Sequence, residues 1–192
     1  MRDEIKVLVY YLSKIYNFPE PIVEIGSKAS EDQEGYSDLR PYFKDKKYIG
    51  CDKVDGHGVD KIENAEDLTF KKMSIGTIIC VDTLEHIVNP IKAMQEFRRV
   101  IKIGGVVLIV THHWSPVHQK PVDYWRFTVH CMKDVIFGDF PFKEIFYHGD
   151  IAHPPLVGGI ASNTQLEFKI DYKELNKLLP FQYPYLFVKF EG

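Results

Sequence analysis

The sequence lacks the features that define several large classes of protein. No apolar run is long enough to cross a membrane, and no signal-peptide pattern follows the charged N-terminus. Basic residues are not in excess, since 24 Lys and Arg stand against 27 Asp and Glu for a net charge of -3. Binding to nucleic acid through its phosphates is therefore not expected. We expect a cytoplasmic protein that does not associate with membranes.

Cysteine is scarce, and its placement argues against disulfides. The chain has three cysteines at widely separated positions, Cys51, Cys80 and Cys131. Two of them lie in apolar, strand-like runs, as expected of small core residues in a reducing compartment. The histidines at 112, 113 and 118 match no zinc spacing, because no cysteine or carboxylate completes a ligand set close to them in sequence. No metal site is expected.

The residues that are present suit one domain with a substantial core. Of 192 residues, 45% are hydrophobic and 14% are aromatic, which is enough to bury a sizeable interior. We predict a single domain over residues 1–192, with an N-terminal helix within residues 1–20. Short apolar runs alternate with helical patterns along the chain. This alternation indicates an α/β fold whose parallel or mostly parallel sheet is covered by helices on both faces.

The predicted elements follow from hydrophobic periodicity and from glycine and proline positions. Strands are predicted at residues 22–26, 47–52, 59–62, 77–82, 106–110, 142–147 and 185–190. Helices are predicted at residues 4–16, 36–43, 90–100 and 130–137, with a turn of helix at 65–68. The helix at 90–100 is expected to begin after the cap Asn89 and to end at Gly104-Gly105. Residues 27–35 form a polar, unusually long loop.

The first predicted strand ends in a tight turn and contains an acid. Gly26 stands where the backbone turns sharply or lets another group approach closely. Glu24 lies inside the apolar run, where a carboxylate is costly unless it is paired or hydrogen-bonded. Glu24 therefore faces either a ligand or a turn of the protein's own backbone, and the sequence leaves both open.

Polar residues recur where the other predicted strands end. In open α/β sheets, ligands bind beyond the carboxyl ends of the strands, which places these residues on one rim. Asp52 ends the second strand, and a carboxylate there offers acceptors to both hydroxyls of a ribose. The first two strands together suggest an adenosine-bearing ligand. The alternative for Asp52 is a turn residue ahead of Gly56 and Gly58.

At this point the sequence resembles the class I S-adenosylmethionine-dependent methyltransferases, in the group often called type 11. The resemblance spans roughly residues 23–127, and its most specific segments are the last two named here. The segments are Val-Glu-Ile-Gly at 23–26, Tyr-Ile-Gly-Cys-Asp at 48–52, Asn-Ala-Glu-Asp-Leu at 64–68, Val-Asp-Thr-Leu-Glu-His at 81–86 and Phe-Arg-Arg-Val-Ile-Lys-Ile-Gly-Gly at 97–105.

The resemblance implies a fold, a cofactor and a set of contacts. The fold would be a Rossmann-like three-layer sandwich with a mostly parallel sheet of about seven strands, the last antiparallel. The cofactor would be S-adenosylmethionine. Its implied contacts are Glu24, Gly26 and the Ser27 backbone at the methionine end, Asp52 at the ribose, Lys53, Asn64 and Ala65 at the adenine, and Asp82 and Thr83 under the sulfonium. Two departures from the family are the single glycine after the first strand and Asn64, where Asp is more frequent.

The same resemblance implies an acceptor side over residues 111–130. His112, Tyr124, Trp125 and Arg126 would bind the acceptor, and this stretch would act as a loop or lid over the methyl donor. Its alternative is a structural loop in which Arg126 pairs with Asp123 and Trp125 packs in the core. If the acceptor is a hydroxyl, His113 or His86 would serve as a base.

The activity implied is methylation of oxygen or nitrogen on a small or glycan-like acceptor. The alternative is a catalytically inactive protein of the same fold that acts in binding or regulation, suggested by the sparse glycines after the first strand. A nicotinamide-dependent oxidoreductase is disfavoured because the fingerprint G-x-G-x-x-G is missing. The sequence does not indicate an oligomeric state.

Overall fold

A computed structural model describes residues 2–30, 35–117, 122–180 and 185–192. Their centre is one eight-stranded sheet with the order β3-β2-β1-β4-β5-β7-β6-β8. The strands are β1 (Ile22–Ile25), β2 (Tyr48–Asp52), β3 (Lys61–Ile62), β4 (Ile75–Val81), β5 (Ile101–His112), β6 (Phe142–His148), β7 (Leu156–Ser162) and β8 (Phe187–Lys189). The expected α/β fold with a mostly parallel sheet is confirmed.

The first five strands are parallel, and the last three alternate in direction along the sheet. Neighbouring strands pair in parallel from β3 through β5. Strand β7 inserts antiparallel between β5 and β6, and β8 pairs antiparallel with the outer side of β6. The expectation of about seven strands is corrected to eight, because β7 has no counterpart among the seven predicted strands.

The sheet is covered on both faces, as the alternation of strands and helices predicts. Helix α1 (Asp3–Ile15) packs against one face, where Ile79 and Leu108 point. Helix α2 (Pro90–Val100) packs on the other, where Ile78 and Val107 point. Successive residues of β4 and β5 alternate between the two clusters, because side chains along a strand point to opposite faces. This arrangement gives the three-layer sandwich.

The remaining helices are short. Helix α3 (Val129–Cys131) continues into a π-helical turn (Met132–Ile136), and α4 (Tyr172–Lys177) lies near β8. A 3-10 turn (Arg40–Phe43) occupies part of the helix predicted at 36–43. Across the described residues, none of the helices combines the length and the apolar character that a bilayer span needs.

Several boundaries differ from the sequence-based expectation. Helix α2 begins after Asn89, whose side chain caps it by accepting from the Lys92 N–H, but it ends at Val100 and not at the two glycines. Gly104 and Gly105 lie inside β5. The helical turn expected at 65–68 is instead a tight turn closed by a bridge between Asn64 and Asp67.

Strand β7 was missed by the sequence analysis, and its glycines explain why. Glycine interrupts the hydrophobic pattern by which strands are recognised. A Cβ added at Gly158 would stand 2.6 Å from the Ile109 carbonyl oxygen, and one at Gly159 would stand 2.7 Å from the Phe137 ring. The two glycines therefore let β7 sit close to β5 and to the helical turn below it.

Candidate functional site

A cavity of about 610 Å³ opens at the carboxyl ends of β1, β2 and β4. Its volume falls within the range of about 300–1,000 Å³ that is usual for small-molecule sites. Twelve of the residues predicted for the site line it: Glu24, Gly26, Ser27, Asp52, Lys53, Asn64, Ala65, Asp82, Thr83, His86, His112 and Tyr124. Residues up to 100 positions apart in sequence therefore meet at one rim of the sheet.

Three of the predicted residues lie outside this lining. His113 has its ring nitrogen Nδ1 2.9 Å from the Phe127 carbonyl oxygen. Trp125 is 43% exposed and donates its indole N–H to the Ile87 carbonyl oxygen at 2.9 Å. Arg126 grips both carboxylate oxygens of Asp123 at 2.6 Å. The pair of Arg126 with Asp123 is the one in the structural alternative, but Trp125 is too exposed to be packed in the core as that alternative had it. The acceptor-binding roles of Trp125 and Arg126 and the catalytic role of His113 stay predictions.

The turn after β1 is held tightly against the turn after β4. Gly26 has a φ of 84°, in the left-handed region that disfavours residues with a Cβ. A Cβ at Gly26 would lie 2.0 Å from the Thr83 hydroxyl oxygen. The N–H groups of Gly26 and Ser27 both donate to the Cys51 carbonyl oxygen. The glycine therefore permits the contact between the first and fourth strand ends, and its own N–H is used inside the protein.

Glu24 is buried with 4% of its surface exposed, and it borders the cavity. Its carboxylate accepts a hydrogen bond of 2.8 Å from the Tyr48 hydroxyl. Burial raises the pKa of Glu24 to about 7, and the Tyr48 hydrogen bond and the charge of Arg40 oppose that rise. Glu24 thus has both a partner inside the protein and access to the cavity.

Asp52 lies at the end of β2 with both carboxylate oxygens turned toward the loops. One oxygen accepts from the Lys28 N–H and the other from the Val54 N–H, each at 3.2 Å. These contacts are long, and a carboxylate oxygen accepts more than one hydrogen bond. Asn64, which follows β3, lines the same cavity, and its side chain accepts from the Glu66 N–H at 3.1 Å.

Some residues of the cavity lining contain buried polar atoms with few partners. Among the described residues, Glu85 Oε1 is buried 3.0 Å from His112 Nε2, and Ser27 Oγ and Asp82 Oδ1 are buried and make no hydrogen bond. Such atoms carry a desolvation cost that a bound polar ligand or water removes. All three belong to residues of the cavity lining. The cavity therefore suits a polar ligand that reaches from the first strand to the fourth.

Asp82, Glu85 and His112 form a compact group at the ends of β4 and β5. Nε2 of His112 lies 3.0 Å from Glu85 Oε1 and 3.4 Å from Asp82 Oδ1. Asp82 has a φ of 45°, a conformation that is uncommon outside glycine and often marks functional sites. The pKa of Asp82 is raised, chiefly by burial. Burial also acts to raise the pKa of Glu85, but His112 and the Thr111 hydroxyl outweigh it and lower that pKa.

Residues 122–127 form a loop, named the acceptor-side loop here, that is fastened to this group by its backbone. The Glu85 carbonyl oxygen accepts from the N–H groups of Tyr124 and Trp125, and the His112 carbonyl oxygen accepts from that of Phe127. Nδ1 of His86 lies 2.9 Å from the Val122 carbonyl oxygen. Tyr124 consequently stands at the mouth of the cavity. Residues 118–121, also part of the predicted acceptor side, lie outside the described residues.

Sequence reasoning missed some residues of the lining, and Glu85 and Arg2 are the most notable. Glu85 is fully buried beside His112 and three positions after Asp82, a spacing visible in the segment Asp-Thr-Leu-Glu-His. Arg2 precedes α1 and donates to the Ser115 hydroxyl, 113 positions away. No local pattern announces that contact, because it depends on how α1 packs against the sheet.

Comparison with known families gives one match within this region. Residues 45–109 match the family model described as a methyltransferase domain. The matched part runs from the start of β2 to β5 and contains Asp52, Asn64, Asp82 and Glu85. The resemblance to the class I methyltransferases stated from the sequence is confirmed.

Solved structures share the fold at low sequence identity. An S-adenosylmethionine-dependent methyltransferase from Thermotoga maritima, described as a possible histamine N-methyltransferase, is 17% identical with a TM-score of 0.59, and the match covers 82% of this chain and 89% of that protein. A methyltransferase from Aquifex aeolicus is 14% identical with a TM-score of 0.52, and the match covers 84% of this chain and 90% of that protein. The cyclase SpnF is 16% identical with a TM-score of 0.56, and the match covers 78% of this chain and 60% of SpnF.

A comparison with curated proteins gives no significant match. The family match and the shared fold together support S-adenosylmethionine as the cofactor. The residues present suit that group, since the cavity is large enough and its buried Ser27 hydroxyl lacks a partner among the described residues.

Proposed function

We propose that this protein is an S-adenosylmethionine-dependent methyltransferase. Residues 45–109 match a methyltransferase domain, and the sheet that contains them has the fold expected of that family. The protein transfers the methyl group to an oxygen or nitrogen atom of a small or glycan-like acceptor. The observation that carries the proposal is the cavity at the strand ends, which gathers the residues expected around both ends of the cofactor.

The strand ends give the cofactor a direction in the cavity. We place the ribose hydroxyls at Asp52, since its carboxylate is the acidic group at the end of β2. The adenine then lies toward Asn64 and Ala65. The methionine moiety runs to Glu24 and the Gly26 turn, which brings the sulfonium close to Asp82 and Thr83. These residue roles follow the resemblance and the shared lining of one cavity.

Methyl transfer requires mainly that the reacting atoms are aligned. The acceptor's lone pair attacks the methyl carbon while the carbon–sulfur bond breaks, which leaves S-adenosylhomocysteine and a methylated acceptor. Holding both molecules in line accounts for much of the rate. A proton leaving the acceptor needs a base, and of the two predicted bases only His86 lines the cavity.

The cofactor assignment is tested at Asp52. We expect Asp52→Ala to weaken S-adenosylhomocysteine binding at least tenfold in isothermal titration calorimetry, because two ribose hydrogen bonds are lost. The fold is expected to persist, since the contacts of Asp52 to Lys28 and Val54 are long and exposed.

The matched control is Asp55→Ala. Asp55 is exposed, lies three residues away and is absent from the cavity lining, so this variant is expected to bind like the wild type. Unchanged affinity in Asp52→Ala would remove the ribose assignment.

The second candidate is a protein of this fold that binds without catalysing methyl transfer. It is favoured by the turn after β1, where Gly26 stands alone among the expected glycines and the N–H groups of Gly26 and Ser27 are used by Cys51. SpnF, which is named a [4+2]-cyclase, has a similar fold, so a protein of this fold is described with an activity other than methyl transfer. If calorimetric titration with S-adenosylmethionine and S-adenosylhomocysteine at millimolar concentration gives no heat of binding, this candidate is favoured.

A further inference from the structure

The group formed by Asp82, Glu85 and His112 has the composition and spacing of a metal-ion site. One atom from each residue lies within 4.8 Å of the others. The separations from His112 Nε2, 3.0 Å to Glu85 Oε1 and 3.4 Å to Asp82 Oδ1, can be compared with ideal geometry. Ligands about 2.1 Å from one ion stand about 3.0 Å apart in an octahedron and about 3.4 Å apart in a tetrahedron.

The surroundings prepare the carboxylate of Glu85 for a cation. Its side chain is 0% exposed. Oε2 accepts a hydrogen bond of 2.7 Å from the Thr111 hydroxyl, which fixes the plane of the carboxylate. Oε1 is then directed at His112, whose Nε2 lies 3.0 Å away. A hydrogen bond that orients a ligating group from behind is the usual support of metal ligands.

The charges of Asp82, Glu85 and His112 also favour a bound cation. Two carboxylates face one imidazole in a buried space, so their combined negative charge exceeds what a single protonated ring could balance. Asp82 Oδ1 is buried without a hydrogen bond in the described residues and lies 3.4 Å from His112 Nε2. Asp82, Glu85 and His112 all belong to the cavity lining, which places the group at the wall of the cavity.

We propose that Asp82, Glu85 and His112 bind one divalent metal ion at the acceptor end of the cavity. A ligand set with one nitrogen and two carboxylate oxygens suits Mn²⁺, Zn²⁺ or Mg²⁺. This proposal differs from the expectation drawn from the sequence, where no metal site was predicted. The metal-binding group is not apparent from the sequence because Glu85 and His112 are 27 positions apart and are brought together by the pairing of β4 with β5.

The site also narrows the acceptor, in an argument that rests on the proposed methyltransferase function. A metal ion beside the methyl donor binds an oxygen ligand and lowers the pKa of a hydroxyl that coordinates it. The acceptor is therefore an alcohol, phenol or sugar hydroxyl, and the methylated atom is oxygen. Asp82, Glu85 and His112 would hold the ion, which would make the hydroxyl easier to deprotonate by a base or solvent. The acceptor oxygen would then bond to the methyl carbon as the carbon–sulfur bond breaks and S-adenosylhomocysteine leaves.

The ion is tested directly by titrating the metal-stripped protein with Mn²⁺, using calorimetry and the electron paramagnetic resonance signal of free Mn²⁺. We expect one site in the wild type. Glu85→Gln and Asp82→Asn are each expected to weaken Mn²⁺ binding at least tenfold. Asn tolerates the left-handed backbone at position 82, so Asp82→Asn covers the case in which Glu85→Gln does not fold.

The control is Glu66→Gln, which changes a carboxylate of the same cavity outside the group and is expected to bind Mn²⁺ normally. Absence of binding by the wild type to Mn²⁺, Zn²⁺ and Mg²⁺ at millimolar concentration, or wild-type affinity in both variants, would overturn the proposal and leave an ion pair of His112.

A parallel titration with S-adenosylhomocysteine separates this proposal from the proposed function. Cofactor binding without metal binding would reject only the metal site. Metal binding without cofactor binding would support the site and reject the methyltransferase assignment.

Discussion

Gly26 is the residue at which a single added methyl group is expected to disturb both the fold and the cavity. Gly26→Ala places a Cβ 2.0 Å from the Thr83 hydroxyl oxygen at a φ of 84°. The left-handed backbone costs about 1–2 kcal/mol and the overlap adds about 1–3 kcal/mol. We expect chemical denaturation to show a loss of about 2–5 kcal/mol in the free energy of unfolding, with weaker cofactor binding.

Gly35 provides the matched control for that substitution. It has a similar φ of 75°, and a Cβ there would meet no atom of the described residues within 4 Å. Gly35→Ala is therefore expected to cost only the backbone contribution of about 1–2 kcal/mol. Equal losses for the two variants would show that contact with Thr83 does not constrain the turn.

Glu24 makes stability depend on pH in a defined direction. Its pKa is raised to about 7 in the folded protein, mainly by burial, from an ordinary value near 4.5. The folded state therefore favours the protonated form, and this contribution to stability is complete below about pH 4.5 and lost as the pH rises through about 7.

Glu24→Gln removes that dependence while keeping an acceptor for the Tyr48 hydroxyl. We expect the free energy of unfolding of the variant to equal that of the wild type near pH 4.5. At pH 8 we expect it to be about 1–3 kcal/mol higher than that of the wild type. Urea titrations of both proteins at several pH values measure the difference. A difference that does not change with pH would contradict the buried titration of Glu24.

Individual residues of the site differ in whether the sequence alone could predict them. Glu24 and Gly26 were recognised because each breaks a short apolar run in a way that has a physical meaning. Glu85 was not, because a carboxylate in a polar-looking segment after β4 gives no sign of burial. Its role emerges only once His112 and the Thr111 hydroxyl are brought beside it by β5.

At the scale of elements, the acceptor-side loop contains an ion pair that adds to its backbone hydrogen bonds. The Asp123 side chain is 1% exposed, and Arg126, whose side chain is 23% exposed, holds both of its oxygens at 2.6 Å. Removing one partner of a fully buried pair costs about 3–5 kcal/mol, which is the upper bound for this partly exposed pair. Arg126→Gln is therefore expected to destabilise strongly by thermal and denaturant unfolding.

A surface pair supplies the comparison. Arg98 and Asp139 are 48% and 79% exposed, so Arg98→Gln is expected to cost no more than about 1 kcal/mol. The double variant Asp123→Asn with Arg126→Gln is expected to recover part of the loss of Arg126→Gln alone. Failure to recover, or a small effect of Arg126→Gln, would indicate that Arg126 serves the acceptor instead of the loop.

The elements predicted best are those with a regular pattern. Helix α2 was recognised from its apolar face, its Asn89 cap and Pro90, and β1, β2 and β4 were recognised from short apolar runs. Strand β7 and helix α4 were missed, because β7 depends on Gly158 and Gly159 and α4 on a cap at Asp171 within a weak pattern. Elements defined by close backbone approach carry little local signal.

At the scale of the whole molecule, the alternation of strands and helices was sufficient to predict a parallel sheet covered on both faces. The rule that ligands bind beyond the strand ends, together with the resemblance to the methyltransferases, led to twelve predicted residues that line one cavity. The order of the last strands was not accessible in the same way, since β7 pairs with β5 and β6 over long sequence separations. Pairing of that kind is decided by the packing of the complete sheet.

The central claim is that the cavity at the carboxyl ends of the strands binds an adenosyl group. The most direct measurement is a crystal structure of the protein grown with S-adenosylhomocysteine. We predict ligand density in this cavity, with the ribose hydroxyls within hydrogen-bond distance of Asp52 and the adenine beside Asn64. A cavity filled by the protein's own side chains under saturating ligand, or a nucleoside bound elsewhere, would contradict the account.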